Sequence, residues 1–142
     1  MIDKVVCWQV RRAYAALGSG DAGPALKAFS SDARFVFSGD HAIAADCQDP
    51  DSIADWFGRF ARLRPEFELL DVVVSGPPWN MRVGIRFADR IGTDYRNEGM
   101  QYVRMRWGRI VADYVYLDTQ AVARWLEQHP GQWAGQSTLS TS

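Results

Sequence analysis

Apolar positions recur at helical spacing from the start of the chain. Val6, Val10, Ala13, Tyr14 and Leu17 fall three or four apart over residues 3–17, the pattern of one buried helix face. Gly18-Ser19-Gly20-Asp21 stops that helix. The run follows a helix, not a strand, and lacks Gly-Lys-Ser/Thr, so it reads as a helix cap and turn, not a phosphate loop. Pro24 to Phe29 predicts a short second helix with Pro24 in its first turn. Arg34-Phe35-Val36-Phe37 is a strand ending at Gly39, and residues 39–49 are irregular. Asp49-Pro50-Asp51 opens a third helix, which stacks Ile53, Trp56, Phe57 and Phe60 on one face and ends at Pro65. Four strand-like runs follow: Phe67 to Ser75, Met81 to Ala88, Asn97 to Arg106 and Arg109 to Leu117. In the second, Val83, Ile85 and Phe87 alternate with Arg82 and Arg86, so one face is buried and the other polar. Trp107-Gly108 makes a tight connection, and Asp118-Thr119 caps a last helix to Gln128.

Helices gathered first and a strand meander after them predict an α+β fold. The expected form is a cone of curved antiparallel sheet wrapped around the N-terminal helices. Its domain spans residues 1–129, with a flexible polar tail over 130–142.

Length and charge narrow the function. A chain of 142 residues makes one domain and buries roughly 68% of its extended surface, enough for a core without metal or disulfide staples. Sixteen basic residues against seventeen acidic leave a net charge of −1, which argues against nucleic-acid binding by counterion release. No apolar run approaches the ~20 residues of a membrane span, and no export signal is visible at Met1-Ile2-Asp3-Lys4. The expectation is a cytoplasmic protein. Cys7 and Cys47 could pair on parity, but a reduced pair fits better, and two Cys and two His without close spacing give no metal site. Aromatic residues make up 13%, suiting a ring-rich core or a ring-lined cavity.

Three stretches resemble the SnoaL-like branch of the nuclear transport factor 2-like superfamily. They are Arg12-Ala13-Tyr14-Ala15-Ala16-Leu17-Gly18-Ser19-Gly20-Asp21, then Phe29-Ser30-Ser31-Asp32-Ala33-Arg34-Phe35, then Asn97-Glu98-Gly99 through Trp107-Gly108-Arg109-Ile110 to Tyr116-Leu117-Asp118-Thr119. The resemblance covers about residues 3–128 and implies the cone fold. It does not choose among ketosteroid isomerase, polyketide cyclase, epoxide hydrolase, dehydratase and plain binding module. The resemblance places the isomerases' tyrosine on Ala13, their base on Phe37 and their second acid near Met100 or Gln101. The cyclases' aspartate falls on Gln101 and the epoxide hydrolases' last-strand aspartate on Val115.

Proton transfer would then need other groups. In the last strand Asp113, Val115 and Leu117 share one face, which the resemblance turns inward, so a buried Asp113 would need a partner. His41 has the side chain whose ordinary pKa suits proton exchange near neutrality. The expectation is that His41 and Asp113 meet across the cone mouth as an acid/base couple, with Asp40 or Asp46 as fallback carboxylate. Tyr14, Trp79, Val115 and Leu117 would supply the apolar wall, with Asp40, Asn97 and Gln101 as further ligand contacts. No cofactor or metal is expected. The ligand would be a small apolar molecule, and the outer sheet face, carrying Tyr102, Tyr114, Tyr116 and interleaved Arg and Glu, would pair in a homodimer. Two readings stay open: a cofactor-free acid/base enzyme, or a non-catalytic ligand-binding or dimerisation module.

Overall fold

The computed structural model describes residues 2–133. Its elements run α1 (Ile2–Gly18), α2 (Gly23–Lys27), β1 (Phe29–Phe37), β2 (Ala45–Cys47), α3 (Pro50–Arg62), β3 (Glu66–Ser75), β4 (Met81–Ile91), β5 (Tyr95–Arg106), β6 (Arg109–Leu117) and α4 (Thr119–Gln128). The expected α+β cone is present. Six strands form one sheet in the order β2-β1-β6-β5-β4-β3, with the helices on its concave side.

Two features differ from the expectation. The sheet is not wholly antiparallel, because β1 and β6 run parallel, with Phe35 opposite Asp113 and Phe37 opposite Val115. The cause is α3, which carries the chain across the cone to the far edge, so the meander returns to β1 in the same direction. The irregular segment also contains a strand, since Ala45–Cys47 pairs antiparallel with Phe35–Phe37.

The curl has local causes. One extra residue in β3 between Leu69 and Asp71, and one in β6 between Ile110 and Ala112, break the ladders, and such bulges bend a sheet and increase its twist. At Gly99 the strands approach so closely that a Cβ would lie 2.9 Å from both Leu117 Cβ and Phe87 Cζ and collide with the Tyr116 carbonyl. The β5–β6 turn puts both Trp107 (φ 51°) and Gly108 (φ 78°) in the left-handed region, the geometry of a two-residue hairpin that follows strand twist.

Helices α3 and α4 begin where side-chain caps dictate. Asp49 accepts the Ser52 N–H at 2.8 Å, and Asp118 accepts those of Gln120 and Ala121. Inside, α3 inserts Trp56 against Phe35, Phe37 and Phe60, and the Trp56 indole donates to the Ile43 carbonyl at 2.8 Å. Each such ring contributes roughly 2–3 kcal/mol by leaving water. A second cluster, Val6, Met81, Val83, Ile85 and Val103, fills the other end of the cone, and Tyr14 packs against both clusters.

The expected boundary at residue 129 falls short of the core. Trp133 is 4% exposed, lies 6.0 Å from Trp56, and has the Arg59 guanidinium 4.3 Å from its ring centre. An aromatic ring four residues past the boundary outweighs the polar composition around it. Residues 134–142 of the expected tail lie outside the described residues.

Candidate active site

The sheet's alternation brings polar side chains into the middle of the cone. Gln101 faces inward from β5 and Asp113 from β6. Because Gln101 pairs with Val115 and Val103 with Asp113, the two are diagonal neighbours within side-chain reach. The Gln101 Nε2 donates to Asp113 Oδ1 at 2.8 Å and Oδ2 at 2.9 Å. Its Oε1 accepts the Tyr14 hydroxyl at 3.1 Å. Tyr14 arrives from α1, and its ring stacks on Phe67 with centroids 4.3 Å apart. One amide therefore links a phenol to a carboxyl.

Burial decides the ionisation of this group. Asp113 is 2% exposed, and loss of water pushes its carboxyl up to about 7, against the pull of the Gln101 hydrogen bond. The Tyr14 phenol is pushed well above its ordinary value by burial first, then by the nearby Asp113 and Asp89 carboxylates. A carboxyl balanced near neutrality can both give and take a proton.

The group lies on the wall of a cavity of about 330 Å³ between α1, α2 and the sheet. Val10, Ala13, Val83, Ile85 and Val103 are among its apolar lining residues, and Gln101 and Asp113 are among its polar ones. A smaller void of about 50 Å³ lies among Phe37, Trp56, Phe60, Phe67 and Phe87. Tyr14 and Gln101 line both and stand between them.

Asp89 is a functional candidate absent from the expectations above. It is 7% exposed, lines the smaller void, and its Oδ1 has no hydrogen-bond partner among the described residues. Burial pushes its carboxyl up to about 7 as well. The signal was available, since Asp89 continues the inward alternation Val83, Ile85, Phe87 by one more step.

The expected His41–Asp113 couple does not form. Asp113 is held by Gln101, and His41 is spent on its own loop. The His41 Nδ1 accepts the Ala44 N–H at 3.1 Å and its Nε2 donates to the Ser38 carbonyl at 3.0 Å. Burial lowers the His41 pKa, opposed by the Ser38 carbonyl and Asp40, so the ring is neutral at pH 7. Asp40 is exposed in the same loop, and Asp46, the other fallback, pairs with Arg34 at 2.7 Å. Trp79 is 57% exposed and packs on Trp107 at the hairpin tips, with ring centres 5.9 Å apart. Asn97 is a brace. It donates to the Tyr95 hydroxyl and the Asp118 carbonyl, and accepts the Glu98 and Asp118 N–H groups. Val115 and Leu117 line the smaller void, while Tyr14 and Gln101 line both. Among the described residues no cluster of His, Cys, Asp and Glu could hold a metal ion, and no helix is long and apolar enough to cross a membrane.

A curled sheet over helices, with a buried carboxyl on the wall of an internal pocket, defines a cone-fold pocket protein. The profile of the SnoaL-like domain matches residues 10–113, and the chain belongs to that family. It is similar in fold to Bal32a from a soil-derived mobile gene cassette, at 23% identity and a TM-score of 0.65, covering 86% of this chain and 96% of that one. A candidate polyketide cyclase from Sinorhizobium meliloti matches at 18% identity and a TM-score of 0.56, covering 76% and 93%. The beta subunit of the benzoate 1,2-dioxygenase from Burkholderia mallei matches at 18% identity and a TM-score of 0.63, covering 81% and 89%. No curated protein matches the chain.

Proposed function

We propose that the protein is a cofactor-free acid/base enzyme acting on a mostly apolar small molecule held in the 330 Å³ cavity, by isomerase, cyclase, dehydratase or epoxide hydrolase chemistry. Asp113 is the proton-transfer group. Gln101 fixes its carboxyl plane, and Tyr14 supplies a hydroxyl beside it. The observation that carries this reading is a fully buried carboxyl on a cavity wall, with a pKa near 7 and no cationic partner among the described residues. A carboxyl kept only for stability would be paired with a cation or replaced by an apolar side chain.

Ketones with acidic C–H bonds, incubated with the protein in deuterium oxide and followed by NMR, test the chemistry whatever the natural substrate. A bound ketone should exchange its α-hydrogens. Asp113→Asn should slow that exchange by roughly 100-fold or more, the scale of general acid–base catalysis. Ligands that bind without exchange in the wild-type protein would count for the second reading, a ligand-binding module. That reading draws on Gln101, which already satisfies both Asp113 oxygens.

The convex sheet face supports self-association. Val73, Met100, Tyr102 and Tyr116 are exposed there, and Tyr102 stacks on Tyr114. An apolar strip with aromatic residues suits a two-fold interface, and sedimentation showing a monomer at tens of micromolar would contradict it. Cys7 and Cys47 are both free, which suits a reducing, cytoplasmic setting.

A further inference from the structure

The cavity of about 330 Å³ has a charged rim that its apolar lining does not explain. Three cations from three elements line it: Arg12 on α1, Lys27 at the end of α2 and Arg109 at the start of β6. All three are exposed, and none forms an ion pair with a carboxylate among the described residues. Arg109 is fixed in place, because it donates to the Phe29 carbonyl at 3.1 Å. Its guanidinium keeps further N–H donors free. The Arg12 guanidinium lies 5.5 Å from the centre of the Trp8 ring, which lines the same cavity. The chain as a whole carries a net charge of −1, so this cationic rim is not a reflection of overall composition. The one acid in the lining is Asp113, on the polar wall between α1 and the sheet.

We propose that the ligand is an amphipathic anion: an apolar body against Val83, Ile85 and Val103, and a carboxylate or phosphate at the mouth held by Arg109, Lys27 and Arg12. The polarity also sets the orientation. The Asp113 carboxyl and the apolar walls exclude a negative group from the depth, while three unpaired cations attract it at the rim. The apolar body therefore enters first and presents its carbon atoms to Asp113. This assignment rests on the cavity being the ligand site and names the class of molecule that fills it.

Calorimetric titration of the full chain at pH 7 with octanoate, octyl phosphate, octanol and octylammonium tests the assignment. The preferred anion should bind about tenfold more tightly than octanol, with octylammonium weakest, and the preference should shrink at high salt. Octanoate alone showing the preference identifies a carboxylate ligand, and octyl phosphate alone a phosphate-bearing one. Both outcomes support a rim-held anion. The double variant Arg12→Glu with Lys27→Glu, both surface positions, should abolish the preference and leave octanol binding unchanged. Asp113→Asn removes the one carboxyl of the lining and should keep or strengthen the preference, so failure of the proton chemistry and failure of the rim assignment read out separately. Equal affinity for octanol and both anions, a preference that survives the double variant, or binding of none of the probes would overturn the proposal.

Discussion

Asp113→Asn should make the protein more stable, and increasingly so as pH rises. The folded chain holds this carboxyl at about 7, against 3.8 for an unburied aspartate. Below 3.8 both folded and unfolded chains carry the proton, and Asp113 costs nothing by ionisation. Between 3.8 and 7 the unfolded chain releases its proton while the folded chain retains it, so stability falls as pH rises and levels off above 7. At about 1.4 kcal/mol per tenfold change, the separation amounts to on the order of 4 kcal/mol. Asparagine keeps the shape and still accepts from the Gln101 amide, but it cannot ionise. The difference in unfolding free energy between variant and wild type should therefore be small at pH 4 and grow to a few kcal/mol by pH 8. Urea titration followed by tryptophan fluorescence at several pH values measures it. The contribution of Asp89 is common to both proteins and cancels. A difference that stays flat from pH 4 to pH 8 would show that Asp113 ionises in the fold without penalty, and one that favours the wild type at high pH that the fold stabilises the carboxylate; either would refute the reasoning.

Three further substitutions follow from the same geometry. Gly99→Ala should destabilise by at least about 2 kcal/mol in thermal unfolding, because its Cβ meets Tyr116, Leu117 and Phe87 together; an unchanged melting temperature would mean that the β5–β6 contact is loose. Asn97→Leu should cost about 3 kcal/mol, since the α4 cap and the Tyr95 hydroxyl lose their buried partner; a neutral result would contradict its role as a brace. His41→Ala should lower stability yet leave the Asp113-dependent deuterium exchange within about twofold, well inside the range that excludes a general acid–base role. His41 is also a pH-sensitive brace: its lowered folded pKa means that its contribution is present above its ordinary 6.5 and lost as pH falls through the folded value. Hydrogen exchange of the Ala44 amide should rise accordingly on acidification.

Much of the fold is legible in the sequence because its signals are local. The Asp49 and Asp118 caps, the Trp107-Gly108 turn and the alternation in β4 each concern residues within a few positions of one another. The candidate site depends on register, which is not local. Spacing puts Asp113 on one face with Val115 and Leu117, and the family resemblance turns that face inward. Its partner is set by which β5 residue lies diagonally opposite, and a shift of one position would exchange Gln101 for Met100 or Tyr102. His41 illustrates the converse. Its ordinary pKa suits proton exchange, yet two backbone groups within three residues take both ring nitrogens before any distant carboxyl can. Trp133 lies in a stretch whose composition is that of a tail, and only its contacts with Trp56 and Arg59, remote in sequence, explain why it docks.

The parallel pairing of β1 with β6 also has a meaning in time. Phe35 and Asp113 are register partners although most of the chain separates them. Local hairpins such as β5–β6 close early, whereas a pairing of such long range must await a large loss of chain entropy. The candidate proton-transfer group therefore acquires its final surroundings only once this long-range pairing closes. On the ribosome α1, α2, α3 and most of the meander can emerge and begin to pack while Asp113 is still inside the exit tunnel. Until the two strands meet, this carboxyl remains wet and ionised, and the dry environment that brings its pKa near neutrality arises only with closure of the sheet.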